Sequence, residues 1–160
     1  MRFEVEHSFA APADRLAALL LDLDFQNSLA DIGGLSAREV LLQETDGDEV
    51  IRHVRCVLDI QINGAARRFI GSGEPAWVEV ARWIPAEMAW IWEIEPEVGG
   101  DLLEAQGRIL IEKAGKGALR RVEGDIKVKV PLYGGRVEGW IADGLETAYD
   151  EEARRISAAL

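Results

Sequence analysis

The chain has 160 residues, 29 of them acidic and 18 basic, and a net charge of -11 at pH 7. This excess of negative charge repels phosphate backbones and anionic headgroups, so a nucleic-acid partner is not expected. The length suits one domain covering residues 1–160, and the single cysteine, Cys56, excludes an internal disulfide. The longest apolar run, residues 16–21, is too short for stable membrane insertion. Because residues 1–6 carry charges where a secretory signal is apolar, we expect a cytoplasmic protein.

The first 34 residues predict one strand and two helices. Residues 2–9 alternate charged side chains with an inner face made of Phe3, Val5, His7 and Phe9. Pro12 then begins a helix whose leucines recur at i, i+3, i+4 and i+7, namely Leu16, Leu19, Leu20 and Leu23. A second short helix is predicted over residues 24–30, ended by Gly33 and Gly34.

The middle of the chain predicts strands separated by Gly, Pro and Asn. The extended segments are residues 36–45, 48–60, 67–71, 77–84, 88–94, 102–113 and 119–130. Asp46-Gly47 between two of them is typical of a hairpin turn. The pattern predicts an antiparallel sheet of about six to seven strands in all.

The last third of the chain changes from a strand period to a helix period. Residues 122–130 alternate apolar and charged side chains, and Pro131, Gly134 and Gly135 follow. A long amphipathic helix then presents Val137, Trp140, Ile141, Leu145, Ala148, Tyr149 and Ile156 on one face. Gly139 and Gly144 inside it predict either a close crossing of the sheet or room for a ligand. Helices grouped on one side of an antiparallel sheet define an α+β class.

This order of elements resembles the helix-grip fold of the START/Bet v 1-like (SRPBCC) superfamily. Residues 124–138, GDIKVKVPLYGGRVE, look like the closing signature of a bacterial family of unknown function within it, and residues 68–71 look like a second shared element. Superfamily members bind lipids, sterols, polyketides or other apolar molecules between the curved sheet and the long helix, and a minority are cyclases or hydrolases. The resemblance implies a pocket rather than a reaction.

The parity of each strand and helix predicts which side chains surround such a pocket. Four tryptophans lie in two neighbouring strands, and Trp90 and Trp92 share one apolar face. The predicted pocket wall consists of Val54, Cys56, Leu58, Trp90, Trp92, Val128, Trp140, Ile141, Leu145 and Tyr149. Ordinary core packing is the alternative interpretation of the same pattern.

Three polar residues are candidates for ligand contact or chemistry. His7 shares the apolar face of its strand, so it is either a base or ligand donor, or a core histidine with a partner. Arg52 shares parity with Val54 and Cys56, so it could hold a carboxylate headgroup, pair with a core acid or extend to the rim. The Tyr149 hydroxyl could reach the pocket from the last helix.

Little in the sequence supports metal, cofactor or nucleophilic chemistry. His7 and His53 have opposite parity and no Cys or His lies at ligand spacing, so no metal is expected; no cofactor motif and no catalytic set is visible either. The favoured function is binding or carriage of a small hydrophobic ligand, lipid-like or polyketide-like, without catalysis. A polyketide-cyclase-like or hydrolase-like enzyme using the same pocket is the first alternative, and a protein-interaction module is the second.

Overall fold

The computed structural model describes residues 1–70 and 73–160. The strands are β1 Arg2–Phe9, β2 Leu35–Asp46, β3 Glu49–Leu58, β4 Ala76–Ile84, β5 Ala89–Pro96, β6 Leu103–Ala114 and β7 Gly117–Val128. The helices are α1 Ala13–Leu21, α2 Leu23–Asn27, α3 Arg67–Ile70 and α4 Gly134–Ala159, with short 3-10 turns at Ile60–Ile62, Pro85–Glu87 and Gly100–Leu102.

The seven strands form one open antiparallel sheet in the order β1-β7-β6-β5-β4-β3-β2. Asp46 pairs with Glu49 across the predicted hairpin turn, where Gly47 has a positive φ of 66°. The first and last strands, β1 and β7, pair at one edge of the sheet, and α4 packs against both of them. The expected α+β class, with two short helices after β1 and a long C-terminal helix, is confirmed.

A pair of glycines makes room for aromatic rings on the inner face of the sheet. Gly107 on β6 lies directly opposite Gly124 on β7, and a Cβ on Gly124 would lie 2.2 Å from the Phe3 ring and 2.9 Å from the Trp92 ring. The missing side chains therefore let two aromatic rings approach the backbone closely, with ring centroids 6.3 Å apart and ring planes tilted by 34°. Both rings belong to the buried core between the sheet and the helices.

Two sequence-based boundaries are corrected by local hydrogen bonds. Residues 67–70 form the helix α3 rather than a strand, because the Asn63 side chain accepts from Ala65 N and begins a helical turn. Gly71 of the predicted strand lies outside the described residues. The helix α2 ends at Asn27 rather than near residue 30, because the Ser28 hydroxyl donates to the Phe25 carbonyl and competes with continued helix.

No helix in the described part of the chain has both the length and the apolarity needed to cross a bilayer.

Candidate functional site

A cavity of about 270 Å³ lies between the first half of α4 and the inner face of the sheet. Apolar side chains from β3, β4, β6, β7 and α4 make most of its wall, including Leu58, Trp77, Leu103, Val128, Ile141 and Leu145. This volume is near the lower end of the range for ligand pockets, roughly 300–1,000 Å³. Since a cavity of about 150 Å³ accepts benzene, the space suits a molecule of about one to two rings.

The surface end of this cavity is formed by apolar side chains from two loops. Val98 and Leu102 precede β6, and Tyr133 immediately precedes α4; all three line the cavity. They are 56%, 49% and 41% exposed, whereas large apolar residues deeper in the wall are buried. An apolar molecule would therefore meet apolar surface from the mouth inward.

A second cavity of about 70 Å³ lies deeper, under α1 and α2. The two cavities share five wall residues, Trp77, Glu79, Trp92, Leu145 and Tyr149, so they adjoin at these side chains. The smaller one is also lined by charged groups from β2, β3, β7 and α4, namely Arg38, Arg52, Arg120 and Glu152. It has room for about two water molecules.

Two of these arginines are fixed by α1, α2 and neighbouring strands. Arg38 donates to the Gln26 carbonyl at 2.8 Å and to its side-chain oxygen at 2.6 Å. Arg52 donates to Gln43 Oε1 at 2.7 Å and to the Leu20 carbonyl at 2.5 Å, and its guanidinium lies 4.3 Å from the Trp90 ring centroid. Burial, opposed in part by nearby acids, lowers the pKa of Arg52 to about 10. The two side chains thus already have partners.

Arg120 is completely buried and joins α4 to the sheet edge. Its guanidinium donates to Glu152 Oε2 at 2.7 Å, to the Tyr149 carbonyl at 3.0 Å and to His7 Nδ1 at 3.2 Å. Because arginine has no acceptor, His7 Nδ1 is the acceptor and Nε2 donates to Asp150 Oδ1 at 2.8 Å. Both ring nitrogens of His7 are therefore engaged in this network.

Glu79 and Tyr149 differ from the arginines, because they face the junction of the two cavities without such partners. Within residues 1–70 and 73–160, neither the Glu79 carboxylate nor the Tyr149 hydroxyl has a hydrogen bond. Burial raises the pKa of Glu79, while Arg38 and Arg52 oppose this shift and Glu152 adds to it. Burial also holds the pKa of Tyr149 well above its usual value, and Glu79 adds to that shift.

The structure places most of the predicted pocket residues on these walls. Leu58, Val128 and Ile141 line the larger cavity; Arg52, Val54, Cys56 and Trp90 line the smaller one; and Trp92, Leu145 and Tyr149 line both. Burial raises the pKa of the Cys56 thiol to about 12, so this thiol stays protonated near neutral pH.

Two predicted pocket residues are placed elsewhere. His7 has the predicted inward direction, but its ring contacts Arg120 and Asp150 rather than either cavity. Trp140 is half-buried and lines neither interior cavity. The reason is the phase of α4: Val137, Ile141, Leu145 and Tyr149 recur every four residues on the cavity face, and Trp140 is rotated about 100° from Ile141.

Sequence reasoning missed the charged residues of the deep cavity, Arg38, Glu79, Arg120 and Glu152. Arg120 shares parity with Val122 and Ile126 on β7, and Glu79 lies between Trp77 and Ala81 on the inner face of β4. The alternation along each strand therefore indicates that both side chains point inward. Glu152 could be found from its place one turn after Ala148 and Tyr149 on α4. For Arg38 the β2 register shifts around it, which removes a clear parity signal.

A depression of about 710 Å³ lies on the opposite, outer face of the sheet and is a weaker candidate. Charged side chains such as Arg82, Arg108 and Glu123 line it. Several of these are already paired, as in the 3.0 Å contact between Arg108 and Glu123. Among the described residues, no group of three or more His, Cys, Asp or Glu side chains is arranged to hold a metal ion.

Comparison with known proteins assigns the family. Residues 4–160 match the family described as "Protein of unknown function (DUF2505)". The chain belongs to this family. No curated protein matches the chain.

Several solved structures have a fold similar to that of this chain. A protein from Thermus thermophilus, TTHA0849, has a TM-score of 0.71 at 17% identity, covering 99% of both chains. A START superfamily protein from Mycobacterium smegmatis has a TM-score of 0.65 at 18% identity, also covering 99% of both chains. The Zhui aromatase/cyclase from Streptomyces sp. R1128 has a TM-score of 0.58 at 17% identity, covering 99% of this chain and 91% of that one. The expected helix-grip fold is therefore confirmed.

Proposed function

We propose that this chain, as one domain of residues 1–160 in the cytoplasm, binds or carries a small hydrophobic molecule in the larger cavity without catalysis. The observation that carries the proposal is the cavity of about 270 Å³ with apolar walls and an apolar mouth, between α4 and the sheet. A lipid-like or polyketide-like molecule of about one to two rings fits this space. Apolar burial supplies the affinity, and few polar groups are needed to orient the ligand.

The first experiment identifies the ligand and locates it. Small molecules extracted from the purified protein are analysed by mass spectrometry, and binding of 2-methylnaphthalene is measured by calorimetry. Val128→Phe puts a phenyl ring into the larger cavity. Val78→Phe makes the same change on the outer face of β4, opposite Arg55 and Glu95, and is the control. We expect Val128→Phe to weaken binding at least tenfold and Val78→Phe to leave it unchanged. Equal binding by all three folded proteins would place the ligand outside the cavity and refute the proposal.

A reaction in the same cavity is the second candidate, and the position of Glu79 and Tyr149 favours it. A carboxyl and a phenol facing one apolar space are groups that acid-base chemistry uses. His7, the base first considered, is engaged by Arg120 and Asp150 instead. Incubating the extracted molecule with the protein tests this candidate. Turnover that falls about a hundredfold in Glu79→Gln would establish a reaction, since that is a usual size for loss of an acid or base.

A further inference from the structure

Glu79 is a charged residue of the interior whose carboxylate has no hydrogen-bond partner among the described residues. It lies on β4 between Trp77 and Ala81 and lines both the larger and the smaller cavity. In the part of the chain that the structure describes, its carboxylate accepts no hydrogen bond. Its remaining accessible surface therefore faces the junction of the two cavities rather than a protein partner.

Glu79 is an exception among the charged residues around the deep cavity. Arg38 is held by Gln26, Arg52 by Gln43 and Leu20, and Arg120 by Glu152. A carboxylate that faces the interior without a hydrogen-bond partner is costly, because it loses hydration and forms no hydrogen bond in exchange. A partner that arrives with the ligand would remove that cost.

The surrounding charges define the chemistry of that partner. Three arginines and two carboxylates, Arg38, Arg52, Arg120, Glu79 and Glu152, lie around the deep cavity, so the arginines outnumber the acids and oppose a cationic ligand. A hydroxyl group avoids this repulsion. It donates to Glu79 when the carboxyl is ionised, and its oxygen accepts when the carboxyl is protonated. The Tyr149 hydroxyl, which lines the same junction, can donate a hydrogen bond to the oxygen of the ligand hydroxyl.

We propose that Glu79 binds the hydroxyl group of an alcohol or phenol whose apolar body fills the larger cavity, an inference that rests on the proposed binding function. The hydroxyl end enters first and stops at the junction beside Glu79 and Tyr149. The apolar body lies along Leu103, Val128 and Ile141, with its far end toward Val98 and Tyr133 at the mouth. Glu79 thereby selects hydroxylated molecules from apolar molecules of the same shape.

Two probes of nearly equal shape test this selection, 2-naphthol and 2-methylnaphthalene. Their affinities are measured by calorimetry for the wild-type chain, for Glu79→Leu and for Glu79→Gln, which keeps a hydrogen-bonding group if the leucine variant folds poorly. Glu93→Leu on the outer face of β5 is the control, because Glu93 lines only surface depressions. Val128→Phe reports whether each probe occupies the larger cavity.

The wild type is expected to bind 2-naphthol about tenfold or more tightly than 2-methylnaphthalene, the size of a hydrogen bond to a charged group. Glu79→Leu should reduce that preference to about twofold or less, Glu79→Gln should reduce it in part, and Glu93→Leu should keep it. If Val128→Phe abolishes binding of both probes but the wild type shows no preference, the role of Glu79 is refuted and the binding function stands. A preference that persists in Glu79→Leu also refutes that role. If neither probe binds the wild type, the binding function fails and the inference fails with it.

Discussion

The deep cavity under α1 and α2 and the larger cavity under α4 differ in how their polar groups are hydrogen-bonded. Under α1 and α2, Arg38, Arg52 and Arg120 lie in or beside a space of about 70 Å³, and each donates at least two hydrogen bonds. Under the first half of α4, the cavity is about four times larger, mostly apolar and open at Tyr133. Glu79 marks the boundary between the ends and lacks a hydrogen bond among the described residues.

This contrast separates stability from binding within one core. The deep end is packed and each of its arginines has hydrogen-bond partners, so a change there should be measured mainly as lost stability. The end near the mouth keeps unfilled volume that packing alone would remove, so a change there should be measured mainly as lost binding. Each of the following variants tests one side of that division.

The largest expected effect is at Arg120, the centre of the deep end. Arg120→Met keeps most of the side-chain volume but leaves Glu152 buried without its cation, at a cost of about 3–5 kcal/mol in the free energy of unfolding. Urea denaturation measures it. The control is the adjacent Arg121→Met, whose half-buried side chain pairs with Glu6 at 2.7 Å near the surface and should cost less than about 1 kcal/mol. Equal costs at the two positions would contradict the division.

A matched pair on β7 compares the two ends directly. Val122 is completely buried and lines neither cavity, whereas Val128 on the same face lines the larger cavity. Val122→Phe should cost about 1–3 kcal/mol of stability by overpacking, and Val128→Phe less than about 1 kcal/mol because its ring has room. Thermal unfolding of both variants measures the difference. A larger loss at Val128 would show that the cavity is not available to a side chain.

The stability of the protein should depend on pH through Glu79, the residue between the two cavities. Burial raises the folded-state pKa of Glu79, so on raising the pH the unfolded chain ionises first, near its ordinary value of 4.5. Stability is therefore fully retained below that value and is lost as the pH rises toward the folded-state pKa. The groups around Glu79 that also act on this titration are Arg38, Arg52 and Glu152.

Glu79→Gln removes that loss, so its melting temperature should match wild type at pH 4 and exceed it at pH 8. The gain should be about 1 kcal/mol or more, the order of the penalty for an unpaired buried polar group. The comparison is made at constant ionic strength. The same difference at both pH values would mean that Glu79 is not held in a desolvated site.

How far the sequence could predict this core depends on the kind of residue. Alternation along β3, β5 and β7 depends only on local sequence, so Val54, Trp92 and Val128 could be placed on the inner face. The phase of the helix does not follow from the sequence alone, because Trp140 and Ile141 are adjacent and only the packing on β7 decides which one faces the cavity.

The polar part of the site was harder to predict, because its roles depend on contacts distant in sequence. Arg120 meets His7 and Glu152 across 113 and 32 residues, and nothing local to β7 indicates those partners. Similarly, the parity of β4 predicts an inward Glu79, but only the structure shows that no described side chain pairs with it. Local pattern therefore predicts direction, whereas pairing and cavity volume require the assembled fold.

The smallest expected effect concerns the two glycines inside α4. A Cβ on Gly144 would lie 2.5 Å from Leu58 Cδ1, which explains Gly144 as a close crossing, whereas a Cβ on Gly139 would meet only Met1 Cε at 3.8 Å. Gly139→Ala should therefore gain about 0.5–1 kcal/mol from helix propensity, a rise of roughly 1–4 °C in melting temperature. Gly144→Ala is the control and should gain nothing, because Leu58 must move into the larger cavity. Calorimetric melting of both variants measures this, with 2-methylnaphthalene affinity expected to fall only for Gly144→Ala. A gain at both positions would mean that the crossing of α4 over β3 is looser than its contacts indicate.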